Sequence, residues 1–347
     1  MIAERIRQAR RMRHLNLRDL AEKAGDITYQ AISNYELDKD TPSSAVLIRL
    51  AGALNVGVDY FFRTVTVQLG EPAYRAHCEL PDKQKEEIES AAVDKLERYF
   101  ETEALFGADA TVGFGEPDEL KSPVQSASDV EDRAVCLREH WDIGLDPLGG
   151  LVELLEDHGI RVVFVDTDPR FYGCAYREPQ PLIVLNRNQA SDRIRFSLAH
   201  ELGHLVLRFP AEGTDDDREK LAHRFAGAFL VPAEAARKEL GDSRASLSAY
   251  ELLSLRRKYG MSVQAWICRA ADLAIISRAT SNRIWKSLQK SGLKTRELGE
   301  KLEREESNRH ERLVVRAFTD RMISETKAAR LLGSNIDEFY ALVGTGG

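Results

Sequence analysis

The chain has 347 residues, of which 43% are hydrophobic and 30% charged, and a formal net charge of −7. That length accommodates two or three domains and the composition is that of a globular protein. The acidic balance argues against a chain coated along its length by nucleic acid, without speaking to one small domain within it. Arg5, Arg7, Arg10, Arg11 and Arg13 interrupt the N-terminus, so no secretory leader is expected, and no run is apolar enough to span a bilayer. The cysteines Cys78, Cys136, Cys174 and Cys268 form no CxxC pair. Neither a disulfide scaffold nor a thiolate zinc site is expected, and a cytoplasmic setting is.

In chain order, residues 1–63 read as short helices punctuated by Gly25 and Pro42. Within them Leu17, Leu20, Ala21 and Ala24 make one apolar face, Gly25 stops that helix and Thr28 caps the next, on which Ala31, Ile32 and Tyr35 turn inward. This is a helix-turn-helix layout. Residues 64–69 alternate like a strand, and 81–106 read as one long helix opened by Pro81 and Asp82 and closed by Gly107. Residues 107–128, rich in Gly, Pro, Ser and Asp, read as a linker. Two helices follow over 129–158, then strands at 160–165 and 182–186, then helices from Asp192 to the end. Near the C-terminus Ser324 is placed to cap a helix carrying Ala328, Ala329 and Leu332, with Gly333 as its stop. A second helix-turn-helix-like unit and a packing or dimerisation segment are both open there, the packing role being favoured.

The chemistry is concentrated in His200-Glu201-Leu202-Gly203-His204. Residues four apart share a helix face, so His200 and His204 can reach one ion. Neutral imidazole suits Zn2+, and a catalytic zinc keeps three protein ligands and an open position. Glu201 stands where it can take a proton from a water whose pKa the metal lowers. The third ligand must come from elsewhere, because the position six beyond His204 is Pro210. Glu219 and His223, themselves four apart on the next helical stretch, are the candidates.

Several blocks in order carry a resemblance. They are 130–134, 137–141, 144–147 and 154–160, then Ile183-Val184-Leu185-Asn186, then 193–199 running into the HExxH box, and last 219–226 ending in Phe229-Leu230-Val231-Pro232. Residues 129–232 thereby resemble the ImmA/IrrE family of zinc metallopeptidases. The resemblance implies Glu219 as third zinc ligand and leaves the role of His223 open, since the family usually has Asn there. It also implies that the strand Leu182–Asn186 pairs with an extended substrate. A plain buried strand fits the apolar content equally well.

Residues 2–62 resemble the phage-repressor (Cro/C1, XRE-type) family, through Ile32-Ser33-Asn34-Tyr35-Glu36, Pro42, 47–51 and Leu54-Asn55-Val56. In that arrangement Tyr29, Gln30 and Asn34 project from the recognition helix. Gln and Asn suit adenine N6 and N7, while Arg18, Thr28 and Ser33 bond phosphates. The five arginines of the first helix are either a DNA-facing edge or an ordinary solvated face.

The expected fold class is α+β, mostly α. An all-α helix-turn-helix domain (1–63) precedes a strand, long helix and linker (64–128). A zincin-like α+β metallopeptidase domain with a small sheet (129–275) and a helical C-terminal region (276–347) follow. The expected function is a DNA-binding transcriptional regulator with a zinc endopeptidase domain that cleaves a repressor or partner protein, Glu201 acting as general base. The alternative is a non-enzymatic repressor or antitoxin whose zinc domain is structural or ligand-sensing. Expected partners are a double-stranded DNA operator, a protein substrate (a repressor or cognate toxin) and a second copy in a homodimer, with no membrane.

Overall fold

A computed structural model describes residues 1–63, 67–73, 80–107, 112–210, 212–290 and 302–344. The chain divides into two units, Met1–Gly70 with Cys78–Phe106 and Val314–Gly347, and Glu71–His77 with Gly107–Leu313.

The first unit opens with α1 (Ile2–Met12) and α2 (Leu17–Ala24). Asn16 caps α2 in a reciprocal box with Asp19, and Gly25 ends it at φ 59, a left-handed value that costs a glycine little. Thr28 Oγ1 accepts from the Ala31 amide and so starts α3 (Tyr29–Glu36). α4 (Ser44–Leu54) and a 3-10 turn at Val58–Phe62 close the layer. Ile6, Leu20, Ile32, Leu50, Leu54 and Phe61 are completely buried together. The long helix α5 (Asp82–Ala104) packs along α1.

The expected strand at 64–69 is only partly testable: Thr64, Val65 and Thr66 lie outside the described residues, and residues 67–69 are irregular. Alternation predicts a strand only where a partner ladder exists, and none of the described strands pairs with 67–69.

In the second unit residues 112–128 of the stretch expected as a linker carry folded structure. Residues Asp118–Lys121 form a 3-10 turn, Leu120 and Val124 are buried in the core, and the Val124 amide donates to the Arg208 carbonyl at 2.9 Å. Two apolar anchors in a polar stretch suffice to hold it down. α6 (Ala127–His140) follows, capped by Ser126, and then α7 (Leu151–Asp157). α7 has no side-chain cap of its own. The Glu305 carboxylate accepts from the Leu151 and Val152 amides instead, at 3.1 and 3.0 Å, and pairs with Arg195, placing a negative charge at the positive end of the helix.

The sheet comprises β1 (Arg161–Val165), β2 (Gly173–Tyr176) and β3 (Leu182–Asn186) in the order β1-β3-β2, with β1 parallel and β2 antiparallel to β3. Every residue of the three strands is buried, so they read as continuous apolar runs rather than alternating ones. The expectation that Leu182–Asn186 is a substrate-pairing edge is therefore corrected: β3 is the central strand and both its ladders are used. β1 and β2 are the edges of the described sheet, and at one end of the outer side of β2 the Ala73 amide donates to the Ala175 carbonyl at 2.7 Å.

Helices α8 (Ser191–Val206), α9 (Asp215–Leu230), α10 (Ala233–Leu240), α11 (Ala249–Tyr259), α12 (Val263–Asp272) and α13 (Arg278–Lys290) complete this unit. Val130, Ala134, Leu155, Leu198, Phe225, Phe229 and Trp266 lie fully buried in its core. The last helices are α14 (Arg309–Thr319), α15 (Glu325–Leu332) and α16 (Ile336–Val343). Ser324 and Gly333 bound α15, and Ala328 and Ala329 are buried beside Val314 and Phe339, with Leu105 and Phe106 against them. Arg98 donates to the Leu331 carbonyl, and Arg330 bridges Glu101 and Asp59. The architecture is α+β and mostly α, and no helix of the described residues is long and apolar enough to cross a membrane.

Candidate metal centre

α8 packs on β2 and β3 and against α9. It lies close to α9 at Gly203, where a Cβ would stand 3.1 Å from Phe225 Cδ1. A glycine between the two histidines lets the helices cross this closely, and that brings the first turns of α9 to the histidines. α9 itself starts at a capping box between Thr214 and Asp217, which fixes where its first turns point.

His200, Glu201 and His204 are 4%, 4% and 1% exposed. His204 Nε2 lies 3.1 Å from His200 Nε2 and 3.1 Å from Glu219 Oε1, and His200 Nε2 lies 3.4 Å from Glu219 Oε2. At bond lengths of about 2.0–2.1 Å, neighbouring ligands of a tetrahedral zinc stand about 3.3 Å apart. Two imidazoles and a carboxylate at such spacings fit a divalent metal by both donor chemistry and distance. The fourth candidate, His223, lies on α9 one turn beyond Glu219. Its Nε2 is 3.9 Å from Glu219 Oε2, its ring sits 4.4 Å from that of His200, and its side chain is 55% exposed. His200, Glu219 and His223 each offer a ligand atom within 4.8 Å of the others. The pair distances make His204 the closer partner of His200 and Glu219, and His223 stands further out.

Three further residues shape this centre, and none was singled out from the sequence. Gly173 on β2 faces Glu201: a Cβ there would stand 3.2 Å from Glu201 Cγ and 2.6 Å from Leu185 Cδ2. Arg177 Nη2 donates to the carbonyls of His204 and Leu207, at 2.9 and 3.0 Å, fastening the end of α8 that carries His204. Asn186, 1% exposed, donates from Nδ2 to the carbonyls of Asp168 and Phe171, at 3.0 and 3.1 Å, so it pins the turn that leads into β2. An Asn closing an apolar run is a readable signal for such a role; Gly173 and Arg177 carry none.

On the helix-turn-helix, Gln30 and Asn34 are exposed and four apart on α3, hence on one face. Tyr29 is 40% exposed and Arg18 lies over its ring at 5.5 Å. Thr28 is occupied as the α3 cap, and Ser33 is half-buried. Of the arginines of α1 and Arg13 just beyond it, Arg5 corrects both readings, since it faces neither DNA nor solvent. Arg5 is fully buried and paired with Glu97, Arg10 is paired with Glu36, Arg7 donates to the Glu36 carbonyl and Arg11 pairs with Glu86. Arg13 donates to the carbonyls of Leu54 and Asn55. Acids on α3 and α5 and the carbonyls that end α4 hold these charges; Arg5 is withdrawn into the interior, whereas Arg13 stays exposed.

Residues 6–61 match a family model described as Helix-turn-helix, and residues 155–270 match one described as IrrE N-terminal-like domain. No curated protein matches the chain. The two matched segments do not overlap, and the second spans the sheet, the paired histidines of α8 and the acid of α9. The chain therefore joins an XRE-type helix-turn-helix domain to an ImmA/IrrE-type domain of the metallopeptidase class.

Proposed function

We propose that the chain is a DNA-binding regulator whose second domain is a zinc endopeptidase, with His200, His204 and Glu219 as metal ligands and Glu201 as general base, acting on a repressor or partner protein. The observation that carries this reading is the meeting of two imidazole nitrogens and one carboxylate at 3.1 to 3.4 Å, with Glu201 beside them on the same helix. Zinc, when bound, lowers the pKa of a water and polarises the scissile carbonyl.

The chain's own residues do the rest. Glu201 takes the proton of the attacking water on its carboxylate and returns it to the amide nitrogen as the C–N bond breaks. Its burial strips water from that carboxylate and sharpens its effect on the proton. The edge strand β2, one residue of which abuts Glu201, supplies main-chain groups that hold an extended substrate segment. Gln30 and Asn34 read base edges while Arg18 and Ser33 hold phosphates, so the peptidase is concentrated at one locus.

Glu201→Gln keeps the shape of the side chain and removes its basicity. Against a candidate repressor co-expressed with each protein, the parent is expected to produce a discrete cleavage product and the variant none, with zinc content unchanged. Equal cleavage by both, or by neither under any inducing condition, overturns the enzymatic reading.

A further inference from the structure

We propose that His223 is a fourth protein ligand of the metal centre, and that its departure opens the coordination position that a substrate needs. The inference rests on the metal-site reading above and deepens it. Three of its supports are geometric. His223 is on the same helix as Glu219 and one turn away, so both side chains project from one face of α9. Its ligand atom falls within 4.8 Å of those of His200 and Glu219. Its ring tilts against that of His200 at 4.4 Å and stacks on Phe196 at 5.7 Å, so one side of the imidazole borders the centre while the rest faces solvent.

Burial then separates the four donors. The side chains of His200, His204 and Glu219 are 5%, 1% and 15% exposed, whereas that of His223 is 55% exposed. Low exposure leaves the three buried groups little room to move. His223 is half in water, so a change of its side-chain rotamer can bring the imidazole in to the metal or carry it away. Four protein ligands make a closed site of the structural kind, and three make an open one. The chain thus carries both states in one centre: a closed form with His223 engaged, and an open form in which water or a carbonyl oxygen exchanges with its imidazole. No covalent bond of the chain is made or broken, and one neutral donor replaces another.

The test uses the full chain loaded with one equivalent of Co2+, with X-ray absorption counting imidazole ligands and visible absorption reporting coordination number. The parent is expected to show three imidazoles, and His223→Asn two imidazoles with a water in place of the third. Adding acetohydroxamic acid, a small chelating carbonyl mimic, is expected to take the parent from three imidazoles to two. Two imidazoles in parent and variant alike overturn the inference while leaving the His200–His204–Glu219 centre intact. Three imidazoles that persist under hydroxamate overturn the exchange. Failure of the parent to retain Co2+ at all overturns the metal site itself, and the inference with it.

Discussion

Glu131 and Glu156 are both shielded carboxylates, and their surroundings drive them in opposite directions. Burial alone raises Glu131, but Arg269 and then Arg224 overcome it and hold the carboxyl below its usual range, with contacts of 2.5 and 2.7 Å to Arg269. A depressed folded-state pKa stabilises above the ordinary carboxylate range and is lost as pH falls through the depressed value. Glu131→Gln leaves Arg269, 1% exposed, without its charge partner, so at neutral pH the variant is expected to lose about 3 kcal/mol. Urea denaturation reads this, and the gap to the parent closes toward acid. At Glu156 the Arg309 and Arg161 guanidinium groups pull the same way, but burial outweighs them. Burial pushes it up to about 7, against weaker downward pulls led by Ser307, whose hydroxyl donates to it at 2.7 Å, and then by the backbone amide and charge of Arg309. A raised folded-state pKa means that folding takes up a proton. Its contribution is complete below the ordinary carboxylate pKa and falls away as pH climbs through about 7. Denaturation midpoints between about pH 5 and pH 8 are expected to fall more steeply for the parent than for Glu156→Gln, which has no proton to lose. Parallel curves contradict the assignment. Neither role was legible beforehand. The ligand pair His200 and His204 was, because its spacing is a local property of one helix, whereas a buried carboxylate is defined by residues more than a hundred positions away in the case of both Arg269 and Ser307.

At the scale of elements, local signals were read well and pairings poorly. The caps of α3 and α15 stood in Thr28 and Ser324, and α8 and α9 in their periodicity. β2 went unread: Gly173-Cys174-Ala175-Tyr176 is four residues of mostly small side chains, and its only mark is the neighbour it pairs with. For the same reason β3 was open to a reading as an edge, since a buried central strand and a covered edge have the same apolar content. The α1 arginines failed differently, because their charge was visible and their partners on α3 and α5 were not. This bears on how α3 meets DNA. Using DNA selected by the protein from a random pool, Gln30→Ala and Asn34→Ala are each expected to weaken specific binding by about 1–3 kcal/mol and relax one base position. Arg7→Ala and Arg11→Ala, whose guanidinium groups are held by acids and a carbonyl, are expected to leave the salt dependence of binding unchanged. A salt slope lowered by about one in either arginine variant contradicts the assignment.

For the whole molecule, the two family matches account for residues 6–61 and 155–270, and they are the parts whose character was readable from motifs. The remainder is tied in by contacts between distant positions, such as Arg330 with Glu101 and Asp59, or Glu305 with Arg195 and the start of α7. No periodicity announces these. The enzymatic half of the proposed regulator depends on the metal centre, because without it the second domain has no means to activate a water. Zinc content after reconstitution and exhaustive dialysis tests this most directly. One zinc per chain is expected in the parent and in Glu201→Gln, and more weakly held zinc in His204→Ala and in Glu219→Ala, with the fold retained by circular dichroism. A parent that holds no zinc, or a Glu219→Ala protein that keeps its full complement at unchanged affinity, contradicts it.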